Sequence, residues 1–181
     1  MNYYRETETK DKRKLILRSA FGTDAKDFIE YFDIAHSETD FLTTYPDESQ
    51  HEIEIMETRL EKTRASKSDV EICAFVDGRL VGSAGINMVK DREKTRHRAE
   101  FGISVIRDYW SLGIGSELTK ACIETAKQTG YMQIELEVVS ENKSALSLYR
   151  RFGFVEYGRN PKAFRTRQGQ WQELVLMRLE L

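Results

Sequence analysis

Two glycines in a short loop have the spacing that most directly suggests chemistry. Gly113 and Gly115 lie between a strand-like run that ends near Val105 and a long helical pattern. Glycine lets the backbone approach a bound group closely, and a helix N-terminus presents N–H groups without partners in the helix. The loop at 112–116 therefore predicts a phosphate or pyrophosphate site, although turn glycines in any α/β protein give the same pattern.

Two nucleotide-binding motifs do not match this loop. A P-loop needs a Lys-Ser or Lys-Thr pair after its second glycine, and none follows Gly115. A dinucleotide fingerprint needs a third glycine where Leu118 stands, and this loop also comes late in the chain. The sequence argues against both kinds of nucleotide site.

A carboxylate inside an apolar strand is the second candidate for chemistry. Glu137 stands between Leu136 and Val138, and it shares a strand face with Glu135. A carboxylate in a partly dry cleft has a raised pKa and can accept a proton near neutral pH. A solvated strand face, or pairing with a basic side chain, explains the same pattern equally well.

The helix after this strand supplies two more candidates. Asn142 comes where the helix starts, so it can cap the helix. Tyr149 lies further along the same helix, where a half-buried aromatic ring with its hydroxyl at the surface is the ordinary interpretation. Asn142 and Tyr149 both follow Glu135 and Glu137 closely in the chain, so the strand and the helix that carry them are consecutive elements.

The elements around these residues indicate a mixed sheet with helices packed on its faces. Thr23 is predicted to cap a first helix whose buried stripe comprises Ala25, Phe28, Ile29 and Phe32, and Ser49 with Glu52 has the spacing of a capping box for a second helix. Asp77-Gly78 predicts a hairpin turn. Strands are predicted at 15–20, 70–76, 80–89, 155–158 and 171–181, with one strand that starts at Glu100 ahead of the glycine loop, another that carries Leu136-Glu137-Val138, and a basic loop at 160–169.

The overall composition excludes several classes of protein. The formal charge of -2 and pI near 6.0 argue against binding nucleic acid by phosphate neutralisation. No apolar run reaches the roughly 20 residues of a membrane span, and the charged start lacks a signal-peptide core. Cys73 and Cys122 lie in apolar segments without metal-ligand spacing. We expect a cytoplasmic protein without nucleic-acid or membrane partners.

The order and spacing of these motifs resemble the GCN5-related N-acetyltransferase (GNAT) superfamily. The resemblance covers the C-terminal half strongly, whereas the N-terminal half agrees only in its order of elements. It implies an α/β fold of the α+β type, with a mostly antiparallel central sheet, helices on both faces and two splayed parallel strands that form an acetyl-CoA cleft. The matching motifs are Gly113-Ile-Gly115, Leu136-Glu-Val138, Asn142, Ala145, Leu148-Tyr149 and Phe152-Gly-Phe154.

Chain length fits one domain. We place a single N-acetyltransferase domain at 14–181, after a polar N-terminal segment at 1–13 that is frayed or lies on an edge.

The resemblance also implies roles for individual residues. Asn142 would contact the cofactor, and Tyr149 would be the general acid for the CoA thiolate, which a free tyrosine pKa near 10 allows. No metal is implied. The strand backbone of Ile103, Ser104 and Val105 would bind the pantetheine arm and acetyl carbonyl, and pyrophosphate would lie on the amides of Leu112, Gly113, Ile114, Gly115 and Ser116.

The proton acceptor and one loop position are less defined. Glu137 is the first choice of base, because ribosomal-protein alanine acetyltransferases also carry a strand L-E-V twelve residues before the tyrosine. Glu100, at the start of the other strand, is the second. Trp110 stands where the family usually has Gln or Arg, so the usual side-chain contacts of that position are in doubt.

We expect direct acetyl transfer from acetyl-CoA to a primary amine in a ternary complex. The acceptor could be a polyamine, an amino acid or xenobiotic amine, or a protein N-terminus. A second helix rich in glutamate mildly favours a cationic small molecule, although a solvated helix face gives the same composition. A non-catalytic acyl-CoA sensor is the alternative, and a homodimer remains open.

Overall fold

The structure, a computed structural model, describes residues 2–49 and 52–181. Over these residues the chain forms four helices and one eight-stranded sheet, with short 3-10 turns between some of them. The helices are α1 (Ala25–Ser37), α2 (Ile53–Ala65), α3 (Ile114–Thr129) and α4 (Lys143–Arg151). The strands are β1 (Tyr4–Glu8), β2 (Lys14–Ser19), β3 (Val70–Val76), β4 (Arg79–Met88), β5 (Arg98–Val105), β6 (Gln133–Val139), β7 (Val155–Arg165) and β8 (Trp171–Glu180).

The sheet has the strand order β1-β2-β3-β4-β5-β6-β8-β7. Every neighbouring pair is antiparallel except β5 and β6, which are parallel and are connected through α3. The final strand β8 lies between β6 and β7, so that β7 forms one edge and β1 the other. The predicted mixed, mostly antiparallel sheet is confirmed, and residues 4–8 form its edge strand β1.

Helices cover both faces of the sheet, as predicted. On one face, here called the α3 face, α3 and α4 pack on apolar residues such as Leu17, Ile86 and Ile134. On the other, the α1 face, α1 and α2 pack on Cys73, Phe75 and their neighbours. Alternation along each strand assigns residues to these faces. Ser104 and Glu137 therefore belong to the α1 face.

The predicted β3–β4 hairpin is confirmed. Asp77 and Gly78 form its turn with φ angles of 51° and 83°, the left-handed pair that a two-residue type I′ hairpin requires. Further along β4, the register shifts opposite Ala74 and Phe75, next to Gly82, and glycine within a strand often marks such a bulge.

The two predicted helix caps are wrong. Thr23 lies in a 3-10 turn, and α1 begins after Asp24, whose carboxylate binds Arg18 and the Phe21 amide. Helix α2 begins after Glu52 without a side-chain cap. Tertiary partners therefore fix the start of α1 in place of a local cap.

The buried stripe of α1 also differs from the prediction. Ala25 and Phe28 are buried as predicted, but Tyr31 and Ala35 complete the stripe. Ile29 and Phe32 are only partly buried, because α1 is rotated to direct Tyr31 at the sheet.

The predicted basic loop at 160–169 is wrong over most of its length. Strand β7 extends to Arg165, which leaves only 166–170 as the turn before β8. Register shifts at Glu156/Gly158 and Asn160/Phe164 interrupt its ladder, so Pro161 fits in the strand. Proline is tolerated there because β7 is an edge strand with irregular pairing.

Candidate active site

The parallel strands β5 and β6 separate after a short paired segment. They pair only at Arg98/Gln133, Ala99/Ile134 and Glu100/Glu135. Beyond these pairs β5 stays with β4 and β6 stays with β8. A cavity of about 400 Å³ lies at the opened end, so the predicted splay is confirmed.

Most of the predicted site residues meet in this cavity. Strand β5 contributes Ile103, Ser104 and Val105 to its lining. The glycine loop and α4 contribute five further predicted residues, which are Gly113, Ile114, Gly115, Asn142 and Tyr149.

The glycine loop is shaped for a ligand that accepts hydrogen bonds. Gly113 has φ 91° and directly precedes α3, with no side chain capping the helix. The first N–H groups of α3 therefore have no acceptor within the helix, and the helix dipole favours negative charge at this end.

Two of the predicted loop residues do not line the cavity. The Leu112 carbonyl accepts a hydrogen bond from the Lys10 amide at 2.9 Å, which ties the loop to the β1–β2 hairpin. Ser116 is partly buried within the first turn of α3. Only the central part of the loop, at 113–115, lines the cavity.

Trp110 makes a hydrogen bond of its own at the position where Gln or Arg is usual in the family that the sequence resembles. Its indole N–H donates to the Val105 carbonyl at 2.6 Å, and the ring lines the cavity while 47% exposed. The guanidinium of Arg107 lies 5.5 Å from the ring centroid. Trp110 therefore fixes the end of β5 and takes up one backbone acceptor there.

Tyr149 is held by aromatic packing at the edge of the cavity. Its ring packs edge-on against Phe101, with centroids 6.1 Å apart, and also contacts Phe154 at 5.8 Å. Burial raises the pKa of the Tyr149 hydroxyl well above its ordinary value. The hydroxyl is therefore protonated at neutral pH and can act as a proton donor.

Asn142 caps α4, as the sequence predicts. Its Oδ1 accepts a hydrogen bond from the Ala145 amide at 3.1 Å. The residue also lines the cavity. A satisfied cap leaves the side-chain NH₂ group of Asn142 as its remaining donor.

The three strand glutamates have different surroundings on the α1 face. Glu135 binds Arg98, and the guanidinium holds the pKa of that carboxyl below its usual range. Glu137 and Glu100 are exposed. Neither Glu137 nor Glu100 lines the cavity.

The wall of the cavity nearest α1 contains residues that the sequence did not single out. They are Ala35 at the end of α1 and Thr39, Phe41 and Leu42 in the loop that follows. A loop without a periodic pattern gave no signal for them.

Tyr31 was also missed, although helical spacing places it one turn from Phe28. Its hydroxyl donates to the Ser104 carbonyl at 3.0 Å and contacts the Ser104 hydroxyl.

Acidic and basic segments outside the cavity largely pair with each other. Arg167 forms an ion pair with Asp47, and its guanidinium stacks over Tyr45 at 4.0 Å. Arg159 binds Glu156 and Glu173. These cations therefore already have protein partners.

Neither a metal-binding cluster nor a membrane-spanning helix is present within residues 2–49 and 52–181. No group of three or more His, Cys, Asp and Glu side chains there is arranged to hold a metal ion. None of the helices found there has the length and apolar character needed to cross a membrane. Cys73 and Cys122 are free thiols in the core.

Comparison with known families agrees with the fold and the cavity. The profile described as "Acetyltransferase (GNAT) family" matches residues 30–154. The chain belongs to this acetyltransferase family.

Sequence relatives include enzymes named for amino-acid acylation. L-amino acid N-acetyltransferase AaaT of Escherichia coli is 31% identical over 108 residues, which is 59% of this chain and 65% of that protein. L-amino acid N-acyltransferase MnaT of the same organism is 28% identical over 105 residues, 58% of this chain and 60% of that protein. The chain thus spans less than two thirds of the length of either relative.

Solved structures share the fold over nearly the whole chain. An acetyltransferase of the GNAT family from Streptococcus pneumoniae has a TM-score of 0.88 and 28% identity, covering 92% of this chain and 99% of that one. A GNAT superfamily phosphinothricin acetyltransferase from Sinorhizobium meliloti, solved with AcCoA, has a TM-score of 0.78 and 20% identity, covering 91% and 87%. At that identity, the second likeness concerns the fold alone.

Proposed function

We propose that this protein transfers the acetyl group of acetyl-CoA to a primary amine. The observation that carries the proposal is the cavity between β5 and β6, which has unpaired helix amides at one part of its lining and a protonated tyrosine at another. Acetyl transfer needs both an anion-binding group for the carrier and a proton donor for its leaving thiolate.

The lining residues fit acetyl-CoA. Amides at 113–115 would hold the pyrophosphate, because they begin α3 without a side-chain cap. The backbone of β5 from Ile103 to Val105 would hold the pantetheine arm, with Asn142 offering its free NH₂ group. When bound, acetyl-CoA supplies the acetyl group as a thioester.

Tyr149 would protonate the thiolate that leaves. Burial keeps its hydroxyl protonated, and its position in the cavity lining allows contact with the sulfur. The amine must also lose a proton, since most primary amines are charged at pH 7. Glu137 is the first candidate to accept that proton and Glu100 the second, each through water because neither lines the cavity.

The acceptor would be a small-molecule or peptide amine that enters beside the end of α1. Phe41 and Leu42 make part of that wall apolar, which suits an amine attached to an apolar group. Relatives named as L-amino acid N-acetyltransferase AaaT and N-alpha-acetyltransferase 30 support both acceptor types. Cytoplasmic location and a possible homodimer remain predictions.

Release of free CoA from acetyl-CoA tests this function directly. The purified chain would be incubated with amino acids, polyamines, aryl-alkyl amines and short peptides, with mass detection of acetylated products. We expect turnover with at least one class of primary amine. Acetyl-CoA binding without any acetylated product would instead support the acyl-CoA sensor.

A further inference from the structure

A polar cluster lies beneath α1 on the α1 face of the sheet. The Ser83 hydroxyl of β4 donates to the Glu71 carboxylate of β3. On the next strand, Ser104 is directly opposite Ser83 in the β4–β5 register. The hydroxyl of Tyr31 on α1 contacts the Ser104 hydroxyl and lies in reach of the Ser83 backbone. Four elements thus bring four polar side chains together beneath α1, two of them buried (Tyr31 and Ser83) and two half-buried (Glu71 and Ser104).

This cluster reaches the cavity through Ser104. Ser83 and Tyr31 are buried, with 5% and 2% of their surface exposed, whereas Ser104 lines the cavity. Side chains directly opposite on antiparallel strands have Cβ atoms about 5 Å apart, which two hydroxyls, or one water between them, can span. The hydroxyls of Ser104 and Ser83 make their hydrogen bonds to Tyr31 and Glu71 and none to each other, so a path from the cavity through Ser104 and Ser83 to Glu71 needs one water between the two serines.

Space for the Glu71 carboxylate depends on a glycine. A Cβ at Gly85 would stand 3.4 Å from Glu71 Oε2 and 3.0 Å from the Val70 carbonyl oxygen. The first distance is an ordinary van der Waals contact, whereas the second is tight enough that the Val70 carbonyl would have to shift by a few tenths of an ångström. Gly85 therefore lets the β3 backbone and the Glu71 side chain approach β4 closely.

Glu71 has no ion pair among residues 2–49 and 52–181. Burial raises the pKa of its carboxyl, opposed by the Ser83 hydrogen bond and the more distant charge of Arg59 on α2. The other titratable groups that sense Glu71 are Tyr31 on α1, Cys73 on β3 and Cys122 on α3. A carboxylate in these surroundings takes up a proton more readily than an exposed one.

We propose that the acceptor amine loses its proton through Ser104 and Ser83 to Glu71, with Tyr31 orienting the Ser104 hydroxyl. This inference rests on the proposed acetyl transfer and concerns the route of one proton. An ammonium N–H gives its proton to Ser104 Oγ, Ser104 passes its own proton through one bridging water to Ser83 Oγ, and Ser83 passes its own to Glu71. The amine becomes neutral, both hydroxyls are restored, and the Glu71 carboxylic acid later releases the proton to solvent.

Glu71→Gln tests this route because it keeps the shape and an oxygen that can accept the Ser83 hydrogen bond. At pH 7 we expect kcat/KM for the amine to fall about 100-fold, within the usual range for general-base catalysis. The deficit should narrow to less than tenfold at pH 9.5, where solvent deprotonates more of the amine. Acetyl-CoA affinity, measured by calorimetry, should stay unchanged.

Two companion variants separate the route from a structural role. Ser83→Ala removes the middle hydroxyl of the path, which lies outside the cavity. Its kcat/KM for the amine should fall as far as that of Glu71→Gln at pH 7 and recover as far at high pH. Glu93→Gln, on the exposed turn between β4 and β5, should leave the pH dependence of kcat/KM for the amine unchanged. A raised pKa means that ionised Glu71 lowers stability as pH rises through that pKa, so Glu71→Gln should keep or raise Tm at pH 8.

The possible outcomes are distinct. A wild-type protein that acetylates no amine contradicts the proposed function and leaves no reaction for the route to serve. An active wild type whose pH profile is preserved in both Glu71→Gln and Ser83→Ala contradicts the route. If Glu137→Gln gives the pH-dependent loss and Glu71→Gln does not, Glu137 is the acceptor and the route is wrong.

Discussion

The two sides of the cavity are built in different ways. The proposed acetyl-CoA side comes from one continuous segment, from β5 through α3 and β6 to α4, and it presents the strand backbone, the helix amides and the side chain of Tyr149. The proposed acceptor side is lined by the end of α1, the loop after it and Ser104 of β5, and the side chains of Tyr31, Ser83 and Glu71 lie behind Ser104. A backbone site depends on local conformation, whereas a side-chain site depends on contacts between distant segments.

This difference predicts that substitutions will separate by substrate. Changes on the acetyl-CoA side should alter acetyl-CoA binding or the departure of its thiolate, and changes on the acceptor side should alter the kinetics of the amine. The following variants test that separation.

Tyr149→Phe should have the largest effect. Without the hydroxyl the thiolate has no positioned proton donor, so kcat should fall about 100-fold while the Kd for acetyl-CoA stays the same. Rapid-quench and steady-state measurements check kcat, and calorimetry checks Kd. Tyr131→Phe is the matched control, because Tyr131 is another buried tyrosine and its hydroxyl contacts the Ser68 carbonyl away from the cavity. An unchanged kcat in Tyr149→Phe would remove its acid role.

Gly113→Ala should come next. A Cβ at φ 91° costs about 1–2 kcal/mol in the left-handed region, and relief of that strain would move the loop amides. We expect the KM for acetyl-CoA to rise about tenfold, with the amine KM unchanged. Gly130→Ala is the control, because Gly130 has φ 87° at the other end of α3. If both variants lose the same stability but only Gly113→Ala raises the KM for acetyl-CoA, the backbone site is supported. If both variants have the same KM for acetyl-CoA, the backbone site is contradicted.

Trp110→Phe should have a smaller effect on the same side. It removes the indole N–H bond to the Val105 carbonyl but keeps an aromatic ring. One lost hydrogen bond of about 1 kcal/mol corresponds to a change of about fivefold in the KM for acetyl-CoA. Trp171→Phe, on β8 and similarly exposed, should change nothing. If the amine KM changes instead, Trp110 belongs to the acceptor side.

Asp24→Asn should have the smallest effect on activity, and that effect should be confined to the KM for the amine. Asp24 binds Arg18 at the start of α1. Burial alone would raise the pKa of this carboxyl, but the guanidinium and the Phe21 amide outweigh that effect, so the pKa is lowered. A lowered pKa means that the pair stabilises the protein at neutral pH and that this stability is lost as pH falls below about 4.

For this variant we expect a loss of about 1–2 kcal/mol in the free energy of unfolding at pH 7, reduced by solvent screening, and a difference from the wild type that shrinks as pH falls below about 4. The amine KM should rise about twofold because α1 carries Tyr31. Chemical denaturation at several pH values and steady-state kinetics measure both effects. A larger change in the KM for acetyl-CoA than in the amine KM would break the separation of the two sides.

The sequence was sufficient for the acetyl-CoA side because its information is local. The glycines, the strand with Glu137, the cap at Asn142 and the tyrosine follow one another at fixed spacing within about 50 residues, and regular strand and helix geometry converts that spacing into positions. Leu112 and Ser116 do not line the cavity, although the sequence placed them in the site. The Leu112 carbonyl accepts a hydrogen bond from Lys10, and Ser116 lies within the first turn of α3.

The tertiary structure alone decided the acceptor side. Which face of α1 is buried, and therefore where Tyr31 points, depends on packing against the sheet and on the Arg18–Asp24 pair. Glu71 lies opposite Gly85, and Ser83 opposite Ser104, because of the register of neighbouring strands, which a bulge between Ala74 and Phe75 shifts in the first pair. A one-residue shift of register turns side chains to the other face of a sheet. The sequence by itself therefore indicated the family fold and the glycine loop, and the fold decided which side chains lie behind the proposed acceptor side.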